Sequence, residues 1–193
     1  MAIARQTEQN FGKGLWYICR LLVWFGGAIL CAIALLTFVS VLGRAFTGFG
    51  LGPITGDFEL VEAGTAVAVF AFLPWCQLNR GHVSVDLFTR WLPARVQIFL
   101  MLLGNIAIAF LAIIIAWRLW MGMGERVTWF SQALRDTLGF GYKPFSVETT
   151  YILGMPVWYG YALSFIGAAL FAIVSVYCVW RDINDLMEGE SSH

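Results

Sequence analysis

The residues able to do chemistry in this chain of 193 are few, and they gather at the ends of long apolar runs. One group is Asp57, Glu59 and Glu62. Acidic groups at a helix start complement the macrodipole, which is the role expected of Asp57. Glu59 and Glu62 stand three apart and would share a helix face. Arg44 ends the preceding apolar run, on the same membrane side as these acids in the topology derived below, so an Arg44–glutamate contact is open to it. A second group lies in the stretch Asn79–Pro93, where His82, Asp86 and Arg90 mix with Val83, Val85, Leu87 and Phe88. Asp86 and Arg90 are four apart, the spacing of a stabilising helical pair. Leu87, Phe88, Trp91 and Leu92 fall on one helical face, which predicts a short amphipathic helix lying in the membrane interface. A histidine can titrate near neutral pH, but His82 alone reads as a loop or capping residue rather than a proton relay. Further on, Gly154 and Pro156 stand just ahead of the last apolar run, and proline suits a helix's first turn.

What is missing is equally informative. Haem held inside a membrane needs axial ligands, usually histidines, and the chain has only His82, in a loop, and His193. No metal-ligand spacing occurs, and no two of Cys19, Cys31, Cys76 and Cys178 are spaced as Cys-x-x-Cys. The cysteines read as small hydrophobes, so no metal and no cofactor is expected. Twelve basic residues balance twelve acidic ones, which leaves no basic footprint for nucleic acid. A transporter working alone usually carries ionisable groups or unwound backbone at mid-membrane depth. Asn105, Ser40, Ser164 and Ser175 are the modest polar groups inside the runs, and each reads as a helix–helix hydrogen bond.

The elements that must position these groups follow from hydropathy. The chain is 60% apolar and 12% charged, against about 45–50% and 25% in soluble domains, and its mean hydropathy is +0.76. A soluble domain of this size has too much surface to hide so much apolar area. A bilayer-crossing helix needs about 20 mainly apolar residues. Charges bound four such runs, at about 21–42, 59–79, 96–117 and 157–180. Their hydrophobicity is continuous rather than alternating, so they are helices, since only helices and closed barrels span lipid. The reading is a single all-α membrane domain over 1–193, with four transmembrane helices and the short interfacial helix in the 80–95 loop. The first run is too long for a signal-peptide core of about 7–15 residues and reads as a retained anchor.

Four spans put both termini on one side. Arg5, Lys13 and Arg20 precede the first span, and Arg80, Arg90 and Arg95 lie between the second and third. The positive-inside rule therefore places both termini and the 80–95 loop in the cytoplasm. Most tryptophans, Trp158 among them, fall near span ends or in loops, as a headgroup-level belt would have them. The long 119–154 loop is rich in large apolar groups and is expected to be an interfacial or re-entrant segment that docks on a partner.

Taken in order, these pieces become specific. Val41-Leu42-Gly43-Arg44 is followed by Glu59-Leu60, then Arg80-Gly81-His82-Val83-Ser84-Val85-Asp86-Leu87, Leu92-Pro93, and Leu153-Gly154-Met155-Pro156-Val157-Trp158. This order resembles the small membrane subunit (DctQ-like) of a tripartite ATP-independent periplasmic, or TRAP, transporter, over about residues 35–170. The Gly-His-x-x-Val-Asp and Gly-x-Pro-x-Trp pieces are the most specific. The sequence departs from the pattern in the last span, where Ser164-Phe165-Ile166-Gly167 has glycine without the proline expected there, and in the long 119–145 stretch. The resemblance implies a non-catalytic subunit in a bacterial inner membrane. Its partners would be membrane lipids, a large multi-span subunit that carries substrate and ions, and a periplasmic substrate-binding protein. The small subunit would brace the scaffold of the large one during ion-coupled uptake, usually sodium-driven, of an organic acid. Arg44, Glu59, Glu62, His82, Asp86, Arg90, Pro156 and Trp158 become the candidate interface or structural polar residues. The outer face of the first helix and the 119–145 loop are the candidate contacts for the binding protein. A membrane-anchor or quinone-site subunit of a redox complex is the alternative, disfavoured by the histidine count. A small self-sufficient transporter is the third possibility.

Overall fold

The protein is described by a computed structural model over residues 5–79, 93–142 and 147–188. It contains helices α1 (Arg5–Ala45), α2 (Asp57–Leu78), α3 (Ala94–Arg126), α4 (Gln132–Leu138) and α5 (Trp158–Glu188), with a 3-10 turn at Thr47–Phe49. There is no strand among the described residues. Four of the helices, all but α4, are long and apolar enough to cross a membrane, as the hydropathy predicts. The amphipathic helix expected between the second and third spans, with His82, Asp86 and Arg90, falls in 80–92 and lies outside the described residues.

Three helices overrun the bounds set by charge. α1 begins sixteen residues before position 21, α3 continues past 117 to Arg126, and α5 continues past 180 to Glu188. A charge marks where lipid ends, but it does not unwind a helix. Helices stop at backbone signals instead. Gly50 and Gly56 take positive φ values of 80° between α1 and α2, which glycine adopts at no steric cost. Pro93 caps α3 and Val127 turns extended after it. The 22 residues of α2 span about 33 Å, matching a hydrocarbon core of about 30 Å. The 41 residues of α1 reach about 60 Å, so its first turns run past the end of α2. There they meet α5, where Asn184 donates to Glu8 at 2.7 Å. The start of α1 and the end of α5 thus share one end of the bundle, called here the terminal end; the other is the distal end.

The helices stand in a row, α1–α2–α5–α3, with the main contacts between neighbours in that order. The core at the terminal end joins Leu15 and Cys19 of α1, Leu78 of α2, and Val174, Tyr177 and Cys178 of α5. None of the four cysteines is in a disulfide, and Cys19 and Cys178, fully buried, are small core residues. Trp16 stacks near Trp75 at the terminal end, and Trp129 near Trp158 at the distal end. The two pairs thus stand at opposite ends of the bundle.

Helices in lipid associate through close packing of small residues more than through hydrophobicity. Pro74 lies inside α2 and is buried. Proline has no N–H to give the carbonyl four residues back, that of Phe70. Gly167 of α5 packs directly on that carbonyl: a Cβ added at Gly167 would stand 2.3 Å from the Phe70 oxygen. The exposed strip of backbone and the residue without a side chain are therefore one feature. Gly26 of α1 meets Ala71 of α2 in the same manner.

The 119–154 stretch is not a loop throughout. Its first part completes α3. Ser131 then caps α4, accepting from the Leu134 N–H, and Gly139 ends α4 in the left-handed region. The segment packs on the chain's own helices. Phe140 covers Gly124, and the Trp120 ring contacts Phe140 and Phe165 at 4.6 and 5.0 Å. The Trp120 indole donates to the Leu138 carbonyl at 3.0 Å. Arg135, only 2% exposed, donates to the carbonyls of Gly124 and Val127 at 3.0 and 2.7 Å. These are orphan carbonyls at the α3 C-terminus, where a cation also complements the dipole.

Gly167→Val should drive α5 from α2 and lower stability by about 1–3 kcal/mol. Gly104, with nothing within 4 Å of an added Cβ, supplies the comparison: Gly104→Ala should leave the unfolding midpoint in detergent unchanged. Equal midpoints for both variants would show that α2 and α5 do not meet at Gly167.

Candidate functional site: polar contacts at the two ends of the bundle

At the distal end, α1 and α2 are locked by a three-residue cluster. Ser40 and Arg44 are four apart on α1 and share a face. Both donate to Oδ2 of Asp57, the first residue of α2: Ser40 Oγ at 2.5 Å and Arg44 Nη2 at 2.7 Å. Asp57 Oδ1 accepts from the Phe58 N–H at 2.9 Å, and the Ser40 hydroxyl accepts from the Ile54 N–H. The Arg44 guanidinium also lies over the Phe58 ring, 5.2 Å from its centroid. Arg44 therefore pairs with Asp57 and not with a glutamate, which corrects the contact considered from sequence. The reason is positional. The α1–α2 connection brings Asp57 level with Ser40, while Glu59 is already committed elsewhere. Asp57 keeps its helix-start role and adds an interhelical one.

Glu59 reaches to the loop ahead of α5. Its two carboxylate oxygens accept the backbone N–H groups of Ile152 and Leu153, at 2.7 and 3.0 Å. That loop is a tight reversal. The Thr150 N–H donates to the Met155 carbonyl at 2.8 Å, the Met155 N–H to Thr150 Oγ1 at 2.9 Å, and Pro156 bridges Thr149. Gly154 has φ of 63°, so glycine is what lets the chain reverse there. Pro156 and Trp158 follow as the α5 entry, with Trp158 against Trp129 and Tyr159. On the other flank, Glu148 accepts from Arg126 Nε at 3.1 Å, and Arg126 lies 4.5 Å from the Tyr161 ring centroid. The reversal thus ties α2, α3 and α5 together. Glu62, expected beside Glu59, is exposed.

At the terminal end a buried polar chain crosses the row. Gln77 of α2 donates to Asn105 of α3 at 2.8 Å, and Asn105 donates to Asp182 of α5. Asn105 and Ser40 are interhelical, as expected; Ser175 instead bonds its own helix at the Phe171 carbonyl, 2.8 Å away. Asp182, Asn184, Asp185 and Glu8 are all buried, and none was singled out from sequence. The signal was present. Gly167, Phe171, Val174, Cys178, Asp182 and Asp185 recur every three or four residues, so the polar pair continues the buried stripe of α5. There is no group of three metal-ligating side chains among the described residues.

One charge stands apart. Because α3 continues to Arg126, Arg118 lies two turns inside the helix instead of at its end. The nearby contacts of Trp120 with Phe165 and of Gly122 with Tyr161 put Arg118 well within the bundle's length. It is exposed on an edge helix. The run of 96–117 bounded by charge puts Arg118 just past a helix end, whereas the helix continues to Arg126.

Two measurements test these contacts. Unfolding free energies of Asp57→Ala, Arg44→Ala and the double variant should return a coupling of about 1–2 kcal/mol; additive losses would show that the pair does not interact. In Glu59→Ala, amide exchange at Ile152 and Leu153 should accelerate roughly tenfold or more, since hydrogen bonds to charged groups contribute about 1.5–3 kcal/mol. Glu59→Gln, which keeps one acceptor oxygen, should fall between. Unaltered exchange in both would show that the carboxylate does not hold the loop.

One comparison with known proteins returns a family. The family model described as tripartite ATP-independent periplasmic transporters, DctQ component, matches residues 33–185. That range runs from the middle of α1 to Asp185 and takes in the distal lock, the loop reversal and most of the terminal polar chain. Comparison with curated proteins and with solved structures found no match. With the family model covering most of its length, the chain belongs to the DctQ-component family, the small membrane subunits of TRAP transporters.

Proposed function

We propose that this subunit braces the large, multi-span membrane subunit of its transporter while that subunit carries an organic acid, delivered by a periplasmic binding protein, with sodium as the coupling ion. The observation that carries the reading is the family match over residues 33–185. The use of polar groups supports it. Ser40, Arg44, Asp57, Glu59, Gln77, Asn105 and Asp182 are all engaged in joining helices or loops of this chain. They fix its shape and need no catalytic role.

With both termini in the cytoplasm, the distal end faces the periplasm. There Phe49 and Tyr151 are 85% and 99% exposed, which suits contact with the binding protein, alongside the outer face of α1 and the 127–142 segment. In this reading the large subunit lies against α3, over the exposed Arg118. A guanidinium facing hydrocarbon costs about 2.5–3.5 kcal/mol on insertion scales. Cover by a polar or acidic group of the large subunit removes that cost.

Affinity purification of the tagged chain from its native membrane should bring down a much larger multi-span protein. The chain alone in liposomes should show no uptake, and uptake should appear only with the large subunit and the binding protein. Arg44→Ala, Glu59→Ala and Asp86→Ala should each lower the yield of the complex, and Arg118→Glu should lower it most. Purification without a large partner, or uptake by the chain alone, would overturn the reading.

A further inference from the structure

A cleft of about 590 Å³ opens at the terminal end, lined by Gly12, Lys13, Trp16 and Tyr17 of α1, Leu78 and Asn79 at the end of α2, and Tyr177 and Arg181 of α5. It exists because α2 is shorter than its neighbours. α1 and α5 continue past Leu78 and leave a notch above the last turn of α2. Gly12 deepens it, since a Cβ there would stand 2.3 Å from the Tyr177 hydroxyl.

The chemistry of the lining is one-sided. Among the described residues its lining has two cations, Lys13 and Arg181, and no carboxylate. Glu8, one turn before Gly12, is occupied by Asn184. Arg181 gives Nη1 to the Leu78 carbonyl at a long 3.4 Å and Nη2 to the Cys178 sulfur. Its Nε is buried and has no hydrogen-bond partner among the described residues. A buried donor left without a partner is costly, and the terminal nitrogens, held only at 3.4 and 3.8 Å, can turn to an anion in the notch. Trp16 carries a further cation, Arg20, over its ring at 5.1 Å.

The surroundings select the source of that anion. The notch sits level with the end of the α2 span, where headgroups lie, and Trp16 and Tyr17 flank it as interfacial aromatics do. Toward the bilayer centre, α1 presents exposed Ile18, Leu21 and Trp24. Positive charge at headgroup level above an open apolar strip matches a phosphodiester headgroup with its acyl chains. A free phosphate would use only the upper half. We propose that this notch is a binding site for one anionic phospholipid, with its headgroup phosphate held by Lys13 and Arg181 and its chains along α1.

The test uses the full chain in detergent, titrated with phosphatidylglycerol and separately with phosphatidylcholine, the bound lipid being counted by native mass spectrometry. Retention of phosphatidylglycerol in preference to phosphatidylcholine is expected. Lys13 is exposed, so Lys13→Gln tests the site without threatening the fold. It should weaken retention about fivefold, the effect of one basic residue at an anionic surface. Arg181→Gln should weaken it at least as much, and millimolar inorganic phosphate should not displace the lipid. Equal retention by wild type and Lys13→Gln, or equal retention of the two lipids, would overturn the proposal. Displacement by inorganic phosphate would show a free-anion site and overturn the lipid assignment.

Discussion

Asp57 stands where a helix enters lipid, and a carboxylate there must find partners or stay out. It finds two on α1, the Ser40 hydroxyl and the Arg44 guanidinium. That pairing fixes the register of α2 against α1, because Ser40 and Arg44 are one turn apart and only one position of α2 can meet both. With α2 so placed, Gly26 faces Ala71 and Gly64 faces Ile33 further along the pair. Fixing α2 also fixes Glu59, two residues on. Glu59 then holds the Ile152 and Leu153 amides and so sets where α5 begins. The order of the row follows from one satisfied carboxylate and its neighbour.

Hydrophobic burial cannot do this work between helices already in lipid, because lipid chains are as apolar as leucine. What remains is close packing and directional polar contact. The structure uses them at different heights. Small residues act along the middle, at Gly26 and Gly167, where backbones approach. Polar groups act at the ends, as Ser40–Arg44–Asp57 on one side and Gln77–Asn105–Asp182 on the other. The glycines set how near the helices come, and the polar ends set their register.

Much of this was legible in the sequence. The four apolar helices and the acidic start of α2 follow from composition and the positions of charges. The family resemblance came from the order of short motifs. Helix ends were less legible, since a charge signals the lipid boundary while α1, α3 and α5 continue to their own backbone signals. That difference hid Asp182 and Asn184, taken to lie beyond a helix that in fact carries them inward, and it placed Arg118 at an end rather than within α3. The Arg44 partner was misread because sequence cannot rank Asp57 against Glu59 without knowing which one the α5 loop claims. Arg135 offered no signal at all: its role depends on α4 folding back over the end of α3.

The overrunning helices also make the terminal end of the bundle unlike the rest of it. A helix that ended with the hydrocarbon would leave nothing to clasp at the headgroup level. Because α1 and α5 continue past α2, they can join through Glu8 and Asn184 and leave a notch beneath that clasp. Their length therefore stiffens the terminal end and creates its one-sided cationic surface in the same stroke. α3, at the other edge of the row, leaves the outward face that bears Arg118 uncovered by α5. The bundle thus has a cationic notch at its terminal end and, on the outward face of its α3 edge, an exposed charge inside the helix. Under the proposed bracing role, an asymmetry of this kind would orient the subunit within its complex, since turning the row around would set the cationic notch against protein and expose Arg118 to hydrocarbon.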